Sequence, residues 1–133
     1  MNLACVSYDQ TEDILFIDTA GVRVETRDDI DAFFNGIIAD WRLSCRGRRV
    51  YVVVSYDDFT LNLRENDYYA ERMIAAVSLF AKTVIRYGGD TLVRSGARLR
   101  GLKLHEPSNL YESRAQAVEV VRGLRTGRMA VSG

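Results

Sequence analysis

The sequence predicts an α/β fold with a small, mixed, mostly parallel sheet of four to five strands and about four helices. Strand-like segments alternate along the chain with segments of helical periodicity, which is typical of this class. Residues 50–54, VYVVV, are apolar throughout, as expected for a strand whose two faces are both buried. The first two strand-like segments are separated only by a polar turn, which adds an antiparallel hairpin.

The N-terminal third predicts this hairpin and the first helix. Residues 3–8 and 14–19 are the strands, and residues 22–26 either extend the second strand or lead into the helix. Thr26 and Asp29 have the spacing of a capping box, and Gly47 is a suitable stop. Between them, apolar residues recur at helical spacing and predict one buried stripe: Ile30, Phe33, Phe34, Ile37, Ile38 and Trp41.

The remaining elements follow the central strand. A second helix is predicted from about residue 66, with Phe80 and Val84 at the end of its apolar stripe, and a short strand over 84–87. A third helix covers 91 to about 103, and residues 110–111 form a short final strand. Ser113 and Gln116 have capping-box spacing and open the last helix. The sequence thus predicts one domain over residues 1–125 and a flexible tail over 126–133.

Charge and cysteine content narrow the classes of partner and compartment. The 18 basic and 18 acidic side chains give no net charge, which disfavours nucleic-acid binding. Residues 1–80 are net acidic and 81–133 net basic. Either these faces meet in the fold, or a basic patch meets an acidic partner through Arg94, Arg98, Arg100 and Lys103. Two cysteines without framework spacing, no signal-peptide pattern and no membrane-length apolar run predict a cytoplasmic protein.

The residues for catalysis or metal binding are sparse. His105 is the only histidine, and a lone loop histidine is more often solvated than catalytic. One histidine and two scattered cysteines do not form a metal site, and no phosphate-binding loop motif occurs. We therefore predict no enzyme activity, no cofactor and no metal.

The best-placed polar cluster follows the central strand. Ligands gather at the carboxyl ends of strands in open α/β sheets, and Ser55, Tyr56, Asp57, Asp58 and Thr60 lie there. Neighbouring aspartates on an extended chain point apart, so they do not form a paired acid and base by themselves. Capping of turns is favoured over a binding role, and binding over catalysis.

The element order and the segment VYVVVSYDDF resemble the STAS/SpoIIAA-like superfamily, which includes the anti-sigma-factor antagonists. Residues 47–59 and 110–117 are also similar to the C-terminal extension of some acyl-CoA:acetate/3-ketoacid CoA-transferases, which is not their catalytic domain. The resemblance implies a STAS-like sheet and a regulatory role. The antagonists carry a D-S-S/T-G-like phosphorylation site, whereas residues 60–66 read TLNLREN here, with Thr60 the nearest hydroxyl.

These observations predict a non-catalytic STAS-like module that binds a protein through the loop after residue 54 and the start of the second helix. The alternative is a domain that binds a small acyl or CoA-like ligand. In that case Tyr56, Phe59 and Tyr87 gate an apolar pocket, and Arg86 with the basic residues of 94–103 meets the ligand's charges. A homodimer is compatible with either. The predicted binding residues are Tyr56, Asp57, Asp58, Phe59, Thr60, Arg86 and Tyr87.

Overall fold

The computed structural model describes residues 3–104 and 109–127. His105 and the tail from 128 onward, on which two of the predictions above fall, lie outside the described residues. Seven strands and four helices follow one another in the described chain: β1 Cys5–Asp9, β2 Ile14–Asp18, β3 Arg23–Val24, α1 Arg27–Cys45, β4 Val50–Ser55, β5 Thr60–Leu61, α2 Asn66–Phe80, β6 Ala81–Tyr87, α3 Thr91–Leu104, β7 Leu110–Tyr111 and α4 Arg114–Arg125.

Five of the strands form one mixed sheet in the order β1-β2-β4-β6-β7. The pair β1–β2 is antiparallel, and the other three neighbouring pairs are parallel. The predicted α/β class, the N-terminal hairpin and the mostly parallel sheet are therefore confirmed. Among the described residues, no helix is long and apolar enough to span a lipid bilayer.

The strand β4 lies at the centre of this sheet and is buried on both faces. Val52 packs into the larger core with the side chains of α1 and α2, whereas Val53 packs with α4 on the opposite face. Both valines are about 1% exposed. Neither face of this strand meets water, which explains why its residues are apolar without interruption, as predicted from the sequence.

N-cap hydrogen bonds fix the starts of two helices, with a complete capping box at α1 and the Ser113 cap at α4. The Thr26 hydroxyl accepts a hydrogen bond from the Asp29 backbone N–H, and the Asp29 carboxylate accepts one from the Thr26 N–H. At α4, the Ser113 hydroxyl accepts from the Gln116 N–H at 3.2 Å. These local bonds satisfy backbone donors that have no partner within the helix, so both predicted starts are confirmed.

Three details differ from the sequence-based expectation. Residues Arg23 and Val24 pair in parallel with Thr60 and Leu61, which forms a separate two-stranded sheet. The strand β6 begins at Ala81, directly after α2 ends at Phe80, so it is longer than the predicted 84–87. Val84 consequently belongs to a strand and not to the stripe of the second helix.

Candidate functional site

The segment after β4 is a tight turn that joins three parts of the chain. The Tyr56 N–H donates to the Tyr87 carbonyl at 2.9 Å, and the Phe59 N–H donates back to the Tyr56 carbonyl at 3.3 Å. The turn places Asp58 at a φ of 56°, in the left-handed region that aspartate tolerates better than most residues. The chain then enters β5, so the loop is held from both ends.

Asp57 connects this turn to the loop that follows β6. Its Oδ1 accepts a hydrogen bond from the Gly89 N–H at 3.1 Å, and its own N–H lies 3.3 Å from the Ser55 hydroxyl. A methyl group at Gly88 would lie 2.7 Å from the Asp57 carboxyl carbon, so only glycine allows this approach. The observed contacts of Asp57 are those of a loop cap.

Asp58 and Thr60 face the short second sheet. The Asp58 carboxylate forms an ion pair with Arg23 at 2.9 Å, and its carbonyl accepts from both the Arg23 side chain and the Gly21 N–H. Thr60 is exposed and stands beside Arg23 in the parallel pair. The two neighbouring aspartates thus bind different partners on different sides of the turn.

The remaining predicted site residues do not all line one pocket, although Tyr56 and Arg86 share a cavity. Tyr56 and Phe59 are buried, and their rings stack at 5.4 Å between centroids. Arg86 is buried near them, whereas Tyr87 packs on the opposite face of the sheet with the α4 cluster. Since Tyr87 is separated from Tyr56 by the sheet, these two rings cannot gate the same opening.

A buried group of two tyrosines and two arginines lies beneath the turn, and we call Tyr56, Tyr69, Arg86 and Arg100 the tyrosine–arginine cluster. The Arg100 guanidinium donates to the Asn66 Oδ1 at 2.6 Å and lies 3.4 Å from the Tyr56 hydroxyl. Its central carbon lies 4.6 Å from the centroid of the Tyr69 ring, in a cation–π arrangement.

The cluster shifts the acidity of its two phenols in opposite directions. Burial raises the pKa of Tyr69 well above its usual value. Burial acts on Tyr56 in the same sense, but the positive charges of Arg100 and Arg86 outweigh it and hold the pKa of Tyr56 below its usual value. The two buried cations thus outweigh burial at Tyr56, whereas burial outweighs them at Tyr69.

The predicted basic patch is wrong in two of its members. Arg100 is only 3% exposed and faces the interior. Arg94 donates to the carbonyls of Gly88 and Tyr111 and pairs with Glu112 at 3.1 Å, so it joins two loops. The side chain of Lys103 lies outside the described residues, and Arg98 alone of the predicted four is described as exposed. An arginine row on a helix gave no indication of which member would be buried.

A cavity of about 30 Å³ lies between the sheet and the helices α1 and α2, next to the tyrosine–arginine cluster. Tyr56, Tyr69 and Arg86 form its polar end. The rest of its wall consists of apolar and aromatic side chains with one thioether: Ile17, Phe33, Phe34, Ile37, Val52, Val54, Met73, Val77, Phe80 and Val84. This space is too small for a long acyl chain or for CoA unless the core repacks.

A larger groove of about 540 Å³ lies on the surface between the start of α2 and the last turns of α3. We call it the leucine groove, and it is lined by Leu63, Arg64, Asn66, Asp67, Leu99 and Leu102. Its leucines are exposed by 42%, 58% and 75%, in chain order. This surface was not predicted from the sequence, although leucines at helical spacing among the basic residues of α3 could have indicated it: Leu92, Leu99 and Leu102.

Within residues 3–104 and 109–127, no three histidine, cysteine or carboxylate side chains are grouped as metal ligands. Cys5 is exposed, whereas Cys45 is buried, and burial raises the pKa of its thiol. A raised pKa keeps a thiol protonated and less nucleophilic. Burial therefore disfavours a role of Cys45 as a nucleophile.

Comparison of the chain with protein-family models, with curated proteins and with solved structures finds no match.

Proposed function

We propose that this chain is a STAS-like, non-catalytic protein-interaction module of the cytoplasm, whose partner binds in the leucine groove. The observation that carries the proposal is the exposure of three leucines around a concave surface that begins where α2 begins. Leu102 is 75% exposed and Leu99 58%, and both face this groove. Contiguous exposed apolar side chains beside a concavity are typical of binding surfaces.

The groove favours an amphipathic, acidic helix as its occupant. The exposed face of α3 presents Leu92, Leu99 and Leu102, a spacing at which a second helix can lay its apolar stripe. Arg64 lines the groove and Arg98 is exposed next to Leu99 in sequence, and neither forms an ion pair with the carboxylates of the described chain. Glutamates or aspartates that flank the partner's stripe would complement these two charges.

The STAS-like assignment rests on the order of the elements and on the quoted sequence resemblance. A sheet in which β2, β4, β6 and β7 are neighbours in chain order, with a hairpin strand at one edge, supports it. The cytoplasmic assignment is supported by the free thiols of Cys5 and Cys45.

A second candidate function, the binding of an acyl or CoA-like ligand, is favoured by one observation. The cavity beside the tyrosine–arginine cluster combines an apolar wall with the Arg86 guanidinium. Its volume of about 30 Å³ restricts this candidate to a small ligand as long as the core keeps its packing. Arg94 and Arg100, which were expected to meet CoA phosphates, are engaged inside the fold.

The protein-binding proposal is tested with a fluorescent synthetic helix that has leucines at i, i+3, i+4 and i+7 and flanking glutamates. Fluorescence anisotropy should detect binding that weakens as salt is added, because exposed charges are screened. Leu99→Ser should weaken binding by about tenfold to a hundredfold, since one buried leucine contributes about 1.5–3 kcal/mol. Leu43→Ser is the matched control, since Leu43 is 82% exposed on α1, away from the groove.

Three results would contradict the proposal. The first is equal binding of the same peptide with lysines in place of the glutamates. The second is an equal effect of the Leu99 and Leu43 substitutions. The third is a homodimer, seen by light scattering, that Leu99→Ser dissociates, because a second copy of the chain would then be the occupant.

A further inference from the structure

The helix α1 has an apolar strip on the side that faces away from the sheet, and we call this side the outer α1 face: Ala32, Gly36, Ala39 and Leu43. Their spacing of three or four residues places them on one side of the helix. The opposite side packs into the core and includes Trp41. Leu43 is 82% exposed, and both alanines are exposed as well. The rest of the described chain therefore leaves this side of the helix open.

Leu3 adds a second large apolar side chain to the outer α1 face. It is 43% exposed, and its Cδ2 atom would lie 3.6 Å from a methyl group placed at Gly36. Gly36 precedes Leu43 by about two helical turns, so the two leucines lie along the same side of α1. A single exposed leucine is ordinary on a protein surface, whereas two leucines on one helix face favour contact with another apolar surface.

The two ends of the outer α1 face carry opposite charges. Asp28 lies in the first turn of α1, whereas Arg42 lies in the last turn and Arg46 directly follows it, and all three are exposed. None of the three forms an ion pair with another described residue. Asp28 and Arg46 are about five helical turns apart, so both lie on the same side of the helix, beside the apolar strip. The helix dipole favours this order of charges without supplying an ion-pair partner for them.

A helix face that is apolar along its length, acidic at one end and basic at the other is complementary to a second copy of itself. A two-fold axis that crosses α1 near Ile37 pairs two α1 helices antiparallel and brings Asp28 of each copy to Arg46 of the other. The same axis places each Leu43 next to Ala32 of the second copy, where a small side chain leaves room for it. An anionic lipid surface or an acidic partner would repel Asp28, whereas a second copy matches the charges at both ends.

We propose that the protein forms a two-fold symmetric homodimer in which the outer α1 faces pack antiparallel. This inference specifies the homodimer that the sequence left open, and it is independent of the leucine groove. Each contact occurs twice in a symmetric dimer, so every substitution on this face changes two contacts.

Sedimentation equilibrium of the full chain, over a concentration series up to the millimolar range, measures the dimer. We expect a monomer–dimer equilibrium with a limiting mass of twice 15.0 kDa. Leu43→Ser should weaken dimerisation by about a hundredfold or more, because burying one leucine is worth about tenfold or more in affinity and the dimer loses two. Leu99→Ser is the matched control, because Leu99 is also an exposed leucine on a helix but lines the leucine groove. It should leave the equilibrium unchanged.

An exchange of charges tests the antiparallel register. Asp28→Arg and Arg46→Asp should each weaken dimerisation, because each variant brings like charges together at both ends of its own dimer. An equimolar mixture of the two variants should dimerise with nearly the wild-type affinity, because every contact between the two variants again joins opposite charges. The difference between the mixture and the separate variants should shrink as salt is added, because exposed charges are screened.

A chain that stays monomeric at millimolar concentration would overturn the inference. A dimer that Leu43→Ser leaves intact would also overturn it, and so would a mixture of the Asp28→Arg and Arg46→Asp variants that dimerises no better than either variant alone. A dimer that Leu99→Ser dissociates would contradict both this inference and the binding of an acidic partner helix in the leucine groove. A monomeric chain that still binds the synthetic helix would refute the homodimer and leave the proposed function standing.

Discussion

Gly88→Ala should destabilise the protein more than Gly47→Ala, although both glycines have a left-handed backbone conformation. Gly88 has a φ of 74°, and alanine in the left-handed region costs about 1–2 kcal/mol. The new methyl group would also lie 2.7 Å from the Asp57 carboxyl carbon and displace that side chain. Loss of the hydrogen bond between Asp57 and the Gly89 N–H adds about 1 kcal/mol, so the total is about 2–3 kcal/mol.

The free energy of unfolding is measured by urea denaturation followed by circular dichroism. Gly47→Ala is the control, because Gly47 has a φ of 76° and no atom within 4 Å of the added methyl group. It should cost only the backbone part, about 1–2 kcal/mol. The difference between the two variants therefore isolates the contact with Asp57.

A double-mutant cycle tests the same contact from the other side. In an Asp57→Ala background, Gly88→Ala should cost no more than Gly47→Ala, because the carboxylate is no longer there to be displaced. Additive effects of Asp57→Ala and Gly88→Ala, or equal costs of the two glycine substitutions, would refute the reasoning. Asp57 would then not act as the cap that joins the loops after β4 and β6.

Three further results are expected. Thr26→Ala should lower the free energy of unfolding in urea by about 1 kcal/mol, because it removes the N-cap of α1. A hydrogen bond from Arg122 lowers the pKa of Glu12, so the stability gap between wild type and Glu12→Gln should be present above pH 4.5 and close as acid titration passes the lowered pKa. Trp41→Phe should cost about 1–3 kcal/mol in the same urea assay, because the Arg48 carbonyl loses its donor at 2.7 Å. Unchanged urea midpoints in these variants, or a gap that persists in acid, would contradict them.

The site was predictable in position but not in arrangement. The loop after β4 lies at the carboxyl edge of the sheet, where the sequence placed it, because strand direction follows from the alternation of strands and helices. The side chains of this loop point in different directions because their partners are distant in sequence. Asp58 pairs with Arg23, and Asp57 accepts a hydrogen bond from the Gly89 N–H. The residues around Asp57 and Asp58 do not indicate either partner.

Local rules determined the parts of the fold that depend on neighbouring residues. The start of α1 follows from the spacing of Thr26 and Asp29, and the central position of β4 follows from five consecutive apolar residues. Both signals are complete within a few residues, because helix capping and strand burial act over that distance.

Only the tertiary structure decided which charged residue became buried and which surface stayed open. Gly96 allows α3 to approach Leu63 and Asn66, so Arg100 turns inward onto the Tyr69 ring while Leu99 and Leu102 remain in solvent. The two-residue pair β3–β5 joins segments far apart in the chain and has too few residues to show a period. Long-range packing sets these features, and a local sequence pattern carries no information on which distant surface a helix will meet.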